Sequence, residues 1–297
     1  HGRAPFEMRL GSSSHQLEVD GESVQLLASR DPSTLPWHSL QVDCVLECTG
    51  RFKDYSGLSQ HIQAGCQRVI LSAPAKGEVD ATVVLGANDE VLSKNHRVLS
   101  IGSCTTNALA PLLKIMDDTV GVQNCFFTTV HAYTKDQNLV DAHHSDLRRS
   151  RSAGQSIIPT KTGAAKTTEL VLPGLAGKIS GYALRVPTAN VSLLDVVLEC
   201  SDQLDEDRVR SILLQAASSS SVVDVTSEPL VSCDFNHCSH SAVIDLTQTQ
   251  VSGKTVRLVA WYDNEWAYAM RMLDVAQTLA IQIGATTSDS FVSQTIT

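Results

Sequence analysis

A cysteine lies where one predicted secondary-structure element gives way to the next. The run Ser103-Cys104-Thr105 separates a strand-like segment at 97–100 from a helix-like one at 107–116. A thiol at a helix N-terminus lies near unpaired backbone N–H groups and the positive end of the helix dipole. Both favour the thiolate, which is the reactive form. Because the neighbouring hydroxyls can cap the helix or hold an anion, we predict a nucleophilic cysteine beside an anion pocket.

A histidine farther along the chain could complete a catalytic pair with this cysteine. His131 follows a strand-like run at 126–130, and a side chain at a strand end can reach a helix N-terminus. An imidazole next to Cys104 would stabilise the thiolate and then carry a proton. The chain has ten histidines, so the position of His131 alone does not establish the pair.

Two later segments carry groups that bind anions in other proteins. Thr162 and Gly163 come just before a helix-like run at 164–172, where they form either an ordinary helix cap or a second anion pocket. Arg185 ends a strand-like run at 181–184, and its guanidinium could hold a phosphate in bidentate fashion or form a surface ion pair. The residue types leave both alternatives open.

Two charged or metal-prone clusters have less specific interpretations. The basic run at 147–151 is either a solvated loop or a loop that faces an anionic ligand or another subunit. Cys233, His237, Cys238 and His240 lie close together, but no second pair follows at zinc-finger spacing. We therefore predict no metal site.

The hydrophobic pattern predicts two kinds of sheet. Short apolar strands alternate with helices through about residue 100, which is typical of a parallel α/β sheet. In such sheets ligands bind beyond the carboxyl ends of the strands, where Thr49, Ser72 and Ser103 lie. From residue 122 longer strand-like runs predict an α+β region with a mainly antiparallel sheet, followed by a final helix at 265–283.

The composition excludes several classes of protein. The chain has 297 residues, of which 42% are hydrophobic and 19% charged, so a folded globular protein is expected. The net charge of -9 argues against nucleic-acid binding, and no apolar run is long enough to span a membrane. The eight cysteines are scattered rather than arranged as a disulfide framework, which favours a reducing, cytoplasmic compartment.

Five motifs in order resemble the glyceraldehyde-3-phosphate dehydrogenase family over about residues 1–283. They are Ser-Cys-Thr-Thr-Asn at 103–107, His-Ala-Tyr-Thr at 131–134, Thr-Gly-Ala-Ala-Lys at 162–166, Arg-Val-Pro-Thr at 185–188 and Trp-Tyr-Asp-Asn-Glu-Trp at 261–266. The resemblance implies an α/β plus α+β protein, in which an incomplete Rossmann-type parallel sheet precedes a catalytic domain. The implied units are the remainder of an NAD(P)-binding domain at 1–103, a catalytic domain at 104–264, a C-terminal helix at 265–283 that returns to the first domain, and a tail at 284–297.

The same resemblance implies a role for each matching residue in the oxidation of glyceraldehyde 3-phosphate with inorganic phosphate. Cys104 is implied to be the nucleophile that forms a thioester, and His131 the base. Thr134 and Arg185 are implied to bind the substrate's phosphate, and Ser103, Thr105, Thr162 and Gly163 the attacking phosphate. Arg30, Thr49, Ser72 and Asn264 are implied contacts of NAD or NADP. The loop at 138–157 resembles one at a subunit interface, which implies a homotetramer.

One departure from the family pattern concerns the start of the chain. The family opens with a strand, a Gly-x-Gly-x-x-Gly turn and a helix, and the chain begins instead at His1, without them. We therefore expect a piece of a longer gene product. Since the backbone amides of that turn would cradle the pyrophosphate, we also expect weak dinucleotide binding.

Three alternatives follow from the remaining differences. The runs at 146–149 and 235–237 resemble erythrose-4-phosphate dehydrogenase, which hydrolyses its thioester, but Thr134 and the pair Thr162-Gly163 favour the phosphorylating family. His143 and the run at 147–149 resemble forms that also accept NADP, so the cofactor preference stays open. The missing turn also leaves open a non-catalytic binding protein built from the remnant.

Overall fold

A computed structural model describes residues 6–284, which form three β-sheets and five α-helices. The first sheet is antiparallel and was not predicted from the sequence. Its strands are β1 (Met8–Leu10), β2 (Gln16–Val19) and β3 (Glu22–Gln25). Most of their residues are exposed, so the apolar alternation that identifies a half-buried strand is absent from them.

The second sheet is parallel, as the sequence predicted. It contains β4 (Cys44–Glu47), β5 (Arg68–Leu71), β6 (Ala81–Thr82) and β7 (Val98–Ser100) in the spatial order β4-β5-β7-β6, with helix α1 (Tyr55–Gln63) between the first two along the chain. Strand β6 is the shortest of the four, with two residues. Because all four strands run in one direction, the segments that follow β4, β5 and β7 meet at one edge.

Helix α2 (Cys104–Val120) follows β7 and joins the two halves of the molecule. It begins three residues before the predicted start at 107, so Cys104 is its first residue. Leu109, Leu112, Leu113 and Met116 of α2 are fully buried. This burial fixes the helix, and with it the position of the cysteine.

The third sheet has eight strands and is mainly antiparallel, as predicted. The pairings of β8 with β10 and of β12 with β13 are parallel, and the other five are antiparallel. The strands are β8 (Val122–Ala132), β9 (Ile158–Thr160), β10 (Ile179–Val186), β11 (Ser192–Cys200), β12 (Val223–Thr226), β13 (Ala242–Asp245), β14 (Gln250–Ser252) and β15 (Thr255–Tyr262), and the intervening helices are α3 (Ala164–Val171) and α4 (Glu206–Ser219).

The last helix, α5 (Trp266–Gln282), packs against the parallel sheet. Met272, Val275 and Leu279 share one apolar core with Ile70 of β5 and Leu99 of β7. A membrane-crossing helix would need a longer apolar run than any helix in residues 6–284 provides. The tail predicted at 284–297 lies outside the described residues except for Gly284.

Candidate active site

The turn between β7 and α2 presents Cys104 at the start of a capped helix. Gly102 adopts a left-handed conformation with φ of +67°, which glycine tolerates without strain. Ser103 is the N-cap, and its Oγ accepts a hydrogen bond from the backbone N–H of Thr106 at 3.1 Å. Asn107 Nδ2 donates to the carbonyl oxygens of Ile101 (2.7 Å) and Ser103 (2.9 Å). The turn is therefore held from both sides.

His131 lies within reach of this cysteine. It is the penultimate residue of β8, and its Nε2 lies 3.4 Å from Sγ of Cys104. The imidazole is buried and meets the ring of Tyr262 edge to face, with ring centroids 5.9 Å apart. The Tyr262 hydroxyl hydrogen-bonds Thr105 at 3.0 Å and Thr129 at 2.7 Å. The structure thus brings Cys104 and His131 together, next to the hydrogen-bonded hydroxyls of Tyr262, Thr105 and Thr129.

The electrostatics of the pair differ from the sequence prediction. We expected the helix terminus to favour the thiolate, but burial raises the pKa of the Cys104 thiol, and the positive charge of Arg185 opposes this only in part. Burial and then the charge of Arg185 lower the pKa of His131 from 6.5 to about 3. The pair at neutral pH is therefore a thiol beside an uncharged imidazole, which can accept the thiol proton when the lone pair is on Nε2.

A cavity of about 200 Å³ opens above the pair and contains most of the predicted phosphate contacts. Ser103, Thr105, Thr162, Gly163 and Arg185 all line it. Arg149 and Lys161 line it too. Within residues 6–284, no acidic residue lines this cavity. A small cavity with three basic side chains suits an anionic ligand. A larger cleft of about 790 Å³ lies between α2 and α5, but its lining contains no cysteine or histidine.

Arg149 and Lys161 were not predicted as site residues. Arg149 Nε donates to Thr160 Oγ1 at 2.9 Å, and the guanidinium also pairs with Asp136. The basic run at 147–151 was the sequence signal for Arg149. The position of this side chain fits the interpretation that the loop faces an anionic ligand. The loop between β8 and β9 contains no helix or strand, so no periodicity could show which arginine turns inward.

Thr134 is not among the residues that line this cavity. Its backbone N–H and its hydroxyl both donate to Oε1 of Gln137, at 2.9 and 3.2 Å. The hydroxyl is therefore engaged within its own turn. A direct contact between Thr134 and a phosphate stays a prediction that requires this turn to open.

Thr49 and Ser72, two of the predicted cofactor contacts, lie at the strand ends where they were expected. Thr49 follows β4, and the Ser72 N–H donates to the carbonyl of Glu47 at 3.1 Å. The Thr49 hydroxyl donates to the buried carboxylate of Glu47 and accepts from the N–H of Arg51, so it has no proton to offer a ligand. Its oxygen could still accept a hydrogen bond from a ligand hydroxyl.

Asn264 and Arg30 differ in their surroundings. Asn264 is buried, and its Oδ1 accepts from Ser192 Oγ at 2.8 Å. Ser192 Oγ in turn accepts from the N–H of Ala132, the residue after His131, at 3.0 Å. Arg30 is exposed and makes no hydrogen bond or ion pair within residues 6–284. The structure therefore connects Asn264, but not Arg30, to the catalytic pair.

Comparisons with known proteins identify the family of this chain. Residues 103–264 match the C-terminal domain of glyceraldehyde 3-phosphate dehydrogenase, and residues 1–55 match its NAD binding domain. The chain is 49% identical to a glyceraldehyde-3-phosphate dehydrogenase of Pseudomonas aeruginosa, over 94% of this chain and 83% of that protein. It is 47% identical to glyceraldehyde-3-phosphate dehydrogenase 2 of Bacillus subtilis, over 95% and 84%. A chloroplastic relative of Arabidopsis thaliana is 45% identical, over 91% and 68%. The chain belongs to the glyceraldehyde-3-phosphate dehydrogenase family.

Proposed function

We propose that Cys104 and His131 carry out, with a nicotinamide dinucleotide as the hydride acceptor, the oxidation of glyceraldehyde 3-phosphate to an acyl phosphate through a thioester on the cysteine. The observation that carries this proposal is the distance of 3.4 Å between Sγ and Nε2 at the floor of a basic cavity. A nucleophile, a neutral base and an anion-binding lining are the three groups that a phosphorylated aldehyde requires. Members of the family are oxidoreductases, which agrees with this chemistry.

The first steps need only a proton shuttle. Sγ of Cys104 attacks the aldehyde carbon while its proton passes to Nε2 of His131, and the imidazolium returns that proton to the new oxygen. The product is a thiohemiacetal. The backbone N–H of Cys104 is one of the unpaired donors at the start of α2, so it can stabilise negative charge on that oxygen.

Oxidation and phosphate attack then follow in order. Nε2 of His131 takes the hydroxyl proton of the thiohemiacetal during the oxidation, which leaves a thioester on Cys104. Inorganic phosphate attacks the thioester carbonyl, and the cysteine leaves as a thiolate. Thr162 and Gly163 line the cavity at the N-terminus of α3, which supports a role for them in holding this phosphate.

The oxidation uses a nicotinamide dinucleotide, and the residues at the nicotinamide end of its site fit this group. Because Ser192 engages Oδ1 of Asn264, the amide offers Nδ2 as a donor toward a carboxamide. The 297-residue sequence contains no Gly-x-Gly-x-x-Gly turn, so the residues that fit belong to this end alone. When bound, the dinucleotide supplies the hydride acceptor. Thr49, Ser72 and Asn264 would hold it, with Arg30 as a further candidate.

The arrangement of subunits is a further part of the proposal. Phe126 and Tyr182 present exposed rings on the third sheet, and Leu147 and Ile157 are exposed in or beside the loop before β9. Apolar side chains grouped on one face commonly cover a subunit interface. We assign this face to a homotetramer. We also assign residues 1–103 to the cofactor domain, 104–264 to the catalytic domain and the protein to the cytoplasm.

A phosphate-dependence assay with two variants tests the proposed chemistry. The full chain is given glyceraldehyde 3-phosphate and NAD or NADP, with and without inorganic phosphate. Phosphate should stimulate turnover, Cys104→Ser should abolish it, and His131→Asn should lower kcat by about 100- to 10,000-fold. Preference for erythrose 4-phosphate without phosphate stimulation would instead indicate the hydrolysing alternative.

A further inference from the structure

The guanidinium of Arg185 touches the catalytic imidazole itself. Nη1 of Arg185 lies 2.6 Å from Nδ1 of His131 and 2.8 Å from the carbonyl oxygen of Ala132. Nδ1 also lies 2.7 Å from that carbonyl oxygen. One donor, Nη1 of Arg185, and one acceptor, the Ala132 carbonyl oxygen, therefore both lie within hydrogen-bond distance of a single ring nitrogen.

These contacts allow two arrangements that exclude each other. A guanidinium has only donors, so a hydrogen bond from Arg185 to Nδ1 requires a lone pair there and puts the proton of the neutral ring on Nε2. A hydrogen bond from Nδ1 to the Ala132 carbonyl requires a proton on Nδ1 and leaves the lone pair on Nε2. Only the second arrangement lets Nε2 accept the proton of Cys104.

Arg185 is also free to bind an anion. Its Nε is buried without a hydrogen-bond partner, and no carboxylate in residues 6–284 forms an ion pair with it. By contrast, Arg149 in the same cavity already pairs with Asp136. An anion that enters the cavity would therefore find Arg185 as an uncompensated, partly desolvated cation.

We propose that an anionic phosphate group bound by Arg185 switches His131 from the tautomer with the proton on Nε2 to the tautomer that can act as a base. The inference rests on the proposed function, because the group in question is the phosphate of the substrate or the free inorganic phosphate. The anion draws Nη1 away from Nδ1, and the ring proton moves from Nε2 to Nδ1 through solvent. No proton is gained or lost. Nδ1–H then donates to the Ala132 carbonyl, and Arg185 acts as a positioning residue for the base.

The tautomer can be read directly in the full chain labelled with ¹⁵N-histidine. Nuclear magnetic resonance distinguishes a protonated from an unprotonated ring nitrogen, and the His131 signals are assigned by their loss in His131→Asn. Without anion, Nε2 should carry the proton. Titration with glycerol 3-phosphate, and separately with inorganic phosphate, should move the proton to Nδ1 in a saturable way. The anion that moves the proton at the lower concentration shows whether the substrate's phosphate or free inorganic phosphate triggers the switch.

Two variants give matched controls for this titration. Arg185→Met should carry the proton on Nδ1 from the start and show no response to either anion. Lys161→Met removes a cation from the same cavity lining but keeps Arg185. The proton should therefore still move to Nδ1, and only the anion concentration needed to move it should rise. A proton on Nδ1 in the anion-free wild type, or one that stays on Nε2 at saturation with both anions, would overturn the inference. The wild-type result decides even if Arg185→Met does not fold.

The measurement separates this inference from the proposed function. It requires neither turnover nor a dinucleotide, since it reports only the ring proton of His131. A chain that shows the switch but forms no thioester on Cys104 contradicts the proposed function alone. A chain that forms the thioester with an unchanged tautomer contradicts the inference alone.

Discussion

The hydroxyl of Tyr268, on the last helix α5, donates to the carbonyl oxygen of Gly102 at 2.8 Å across 166 positions of sequence. Gly102 lies two residues before Cys104, so the final helix holds the turn that presents the nucleophile. The same helix packs Met272 and Val275 against the parallel sheet. The C-terminal helix therefore contributes to the position of the cysteine as well as to the core.

Removal of this hydroxyl gives the first prediction. Tyr268→Phe should lower the free energy of unfolding by about 1 kcal/mol, because one hydrogen bond to a buried carbonyl is lost. It should also slow alkylation of Cys104 by iodoacetamide, since the turn becomes looser. Urea denaturation and the alkylation rate measure the two effects. Tyr55→Phe is the matched control, because that ring is about half exposed on α1; equal effects in both variants would contradict the role of Tyr268.

The lowered pKa of His131 predicts how stability depends on pH. In the unfolded chain this imidazole binds a proton below about pH 6.5, whereas in the folded protein it stays neutral down to about pH 3. The unfolded state therefore binds more protons between these values, and the free energy of unfolding should fall as the pH is lowered through this window. The slope due to this group is about 1.4 kcal/mol per pH unit.

Comparison with a variant isolates that contribution from the other titrating groups. His131→Gln cannot titrate, so its unfolding free energy should fall less steeply than that of the wild type between pH 6.5 and 4. Urea denaturation at several pH values measures both curves. Parallel curves would mean that His131 is not held neutral in the folded protein.

A buried carboxylate beside the predicted cofactor turn gives a prediction about stability. Glu47 accepts hydrogen bonds from the N–H and hydroxyl of Thr49 and lies 3.1 Å from Nε2 of His61. The Trp37 indole donates to Nδ1 of His61 at 3.1 Å, which puts the proton of the neutral His61 ring on Nε2, facing Glu47. Glu47→Ala leaves the buried Nε2 donor of His61 and the two part-buried donors of Thr49 unpaired, so it should lower the free energy of unfolding by about 3 kcal/mol.

A surface variant and a second readout make the Glu47 prediction specific. Glu78→Ala, at an exposed position, should change the free energy of unfolding by less than about 0.5 kcal/mol. In Glu47→Ala the backbone amide of Thr49 should also exchange with solvent faster, as hydrogen exchange would detect. Unchanged exchange at Thr49 would show that Glu47 does not hold this turn.

The sequence predicted the parts of the molecule that local pattern determines. The start of α2 near Cys104 follows from the Ser103 cap, and the long strands of the third sheet follow from their apolar runs. The pairing of Cys104 with His131 followed from motifs in family order, since spacing did not identify it. Local pattern could not indicate the exposed strands of the first sheet, whose side chains bury no apolar face.

The features of the site that the sequence did not indicate have a different physical cause. The pKa of Cys104 depends on how deeply the rest of the chain buries it, which no local motif records. Arg149 was missed because its inward direction is set by contacts with Asp136 and Thr160 across an irregular loop. The engaged hydroxyl of Thr134 depends likewise on the folded turn that brings Gln137 next to it.

The thioester mechanism is tested most sharply by trapping the acyl group on Cys104. The full chain is incubated with glyceraldehyde 3-phosphate and NAD without inorganic phosphate, quenched in acid and analysed by peptide mass spectrometry. We expect a 3-phosphoglyceryl thioester on the peptide that contains Cys104, its absence from Cys104→Ser, and its loss when inorganic phosphate is added. An acyl group on another of the eight cysteines, or turnover without any acyl group on Cys104, would contradict the proposed role of Cys104.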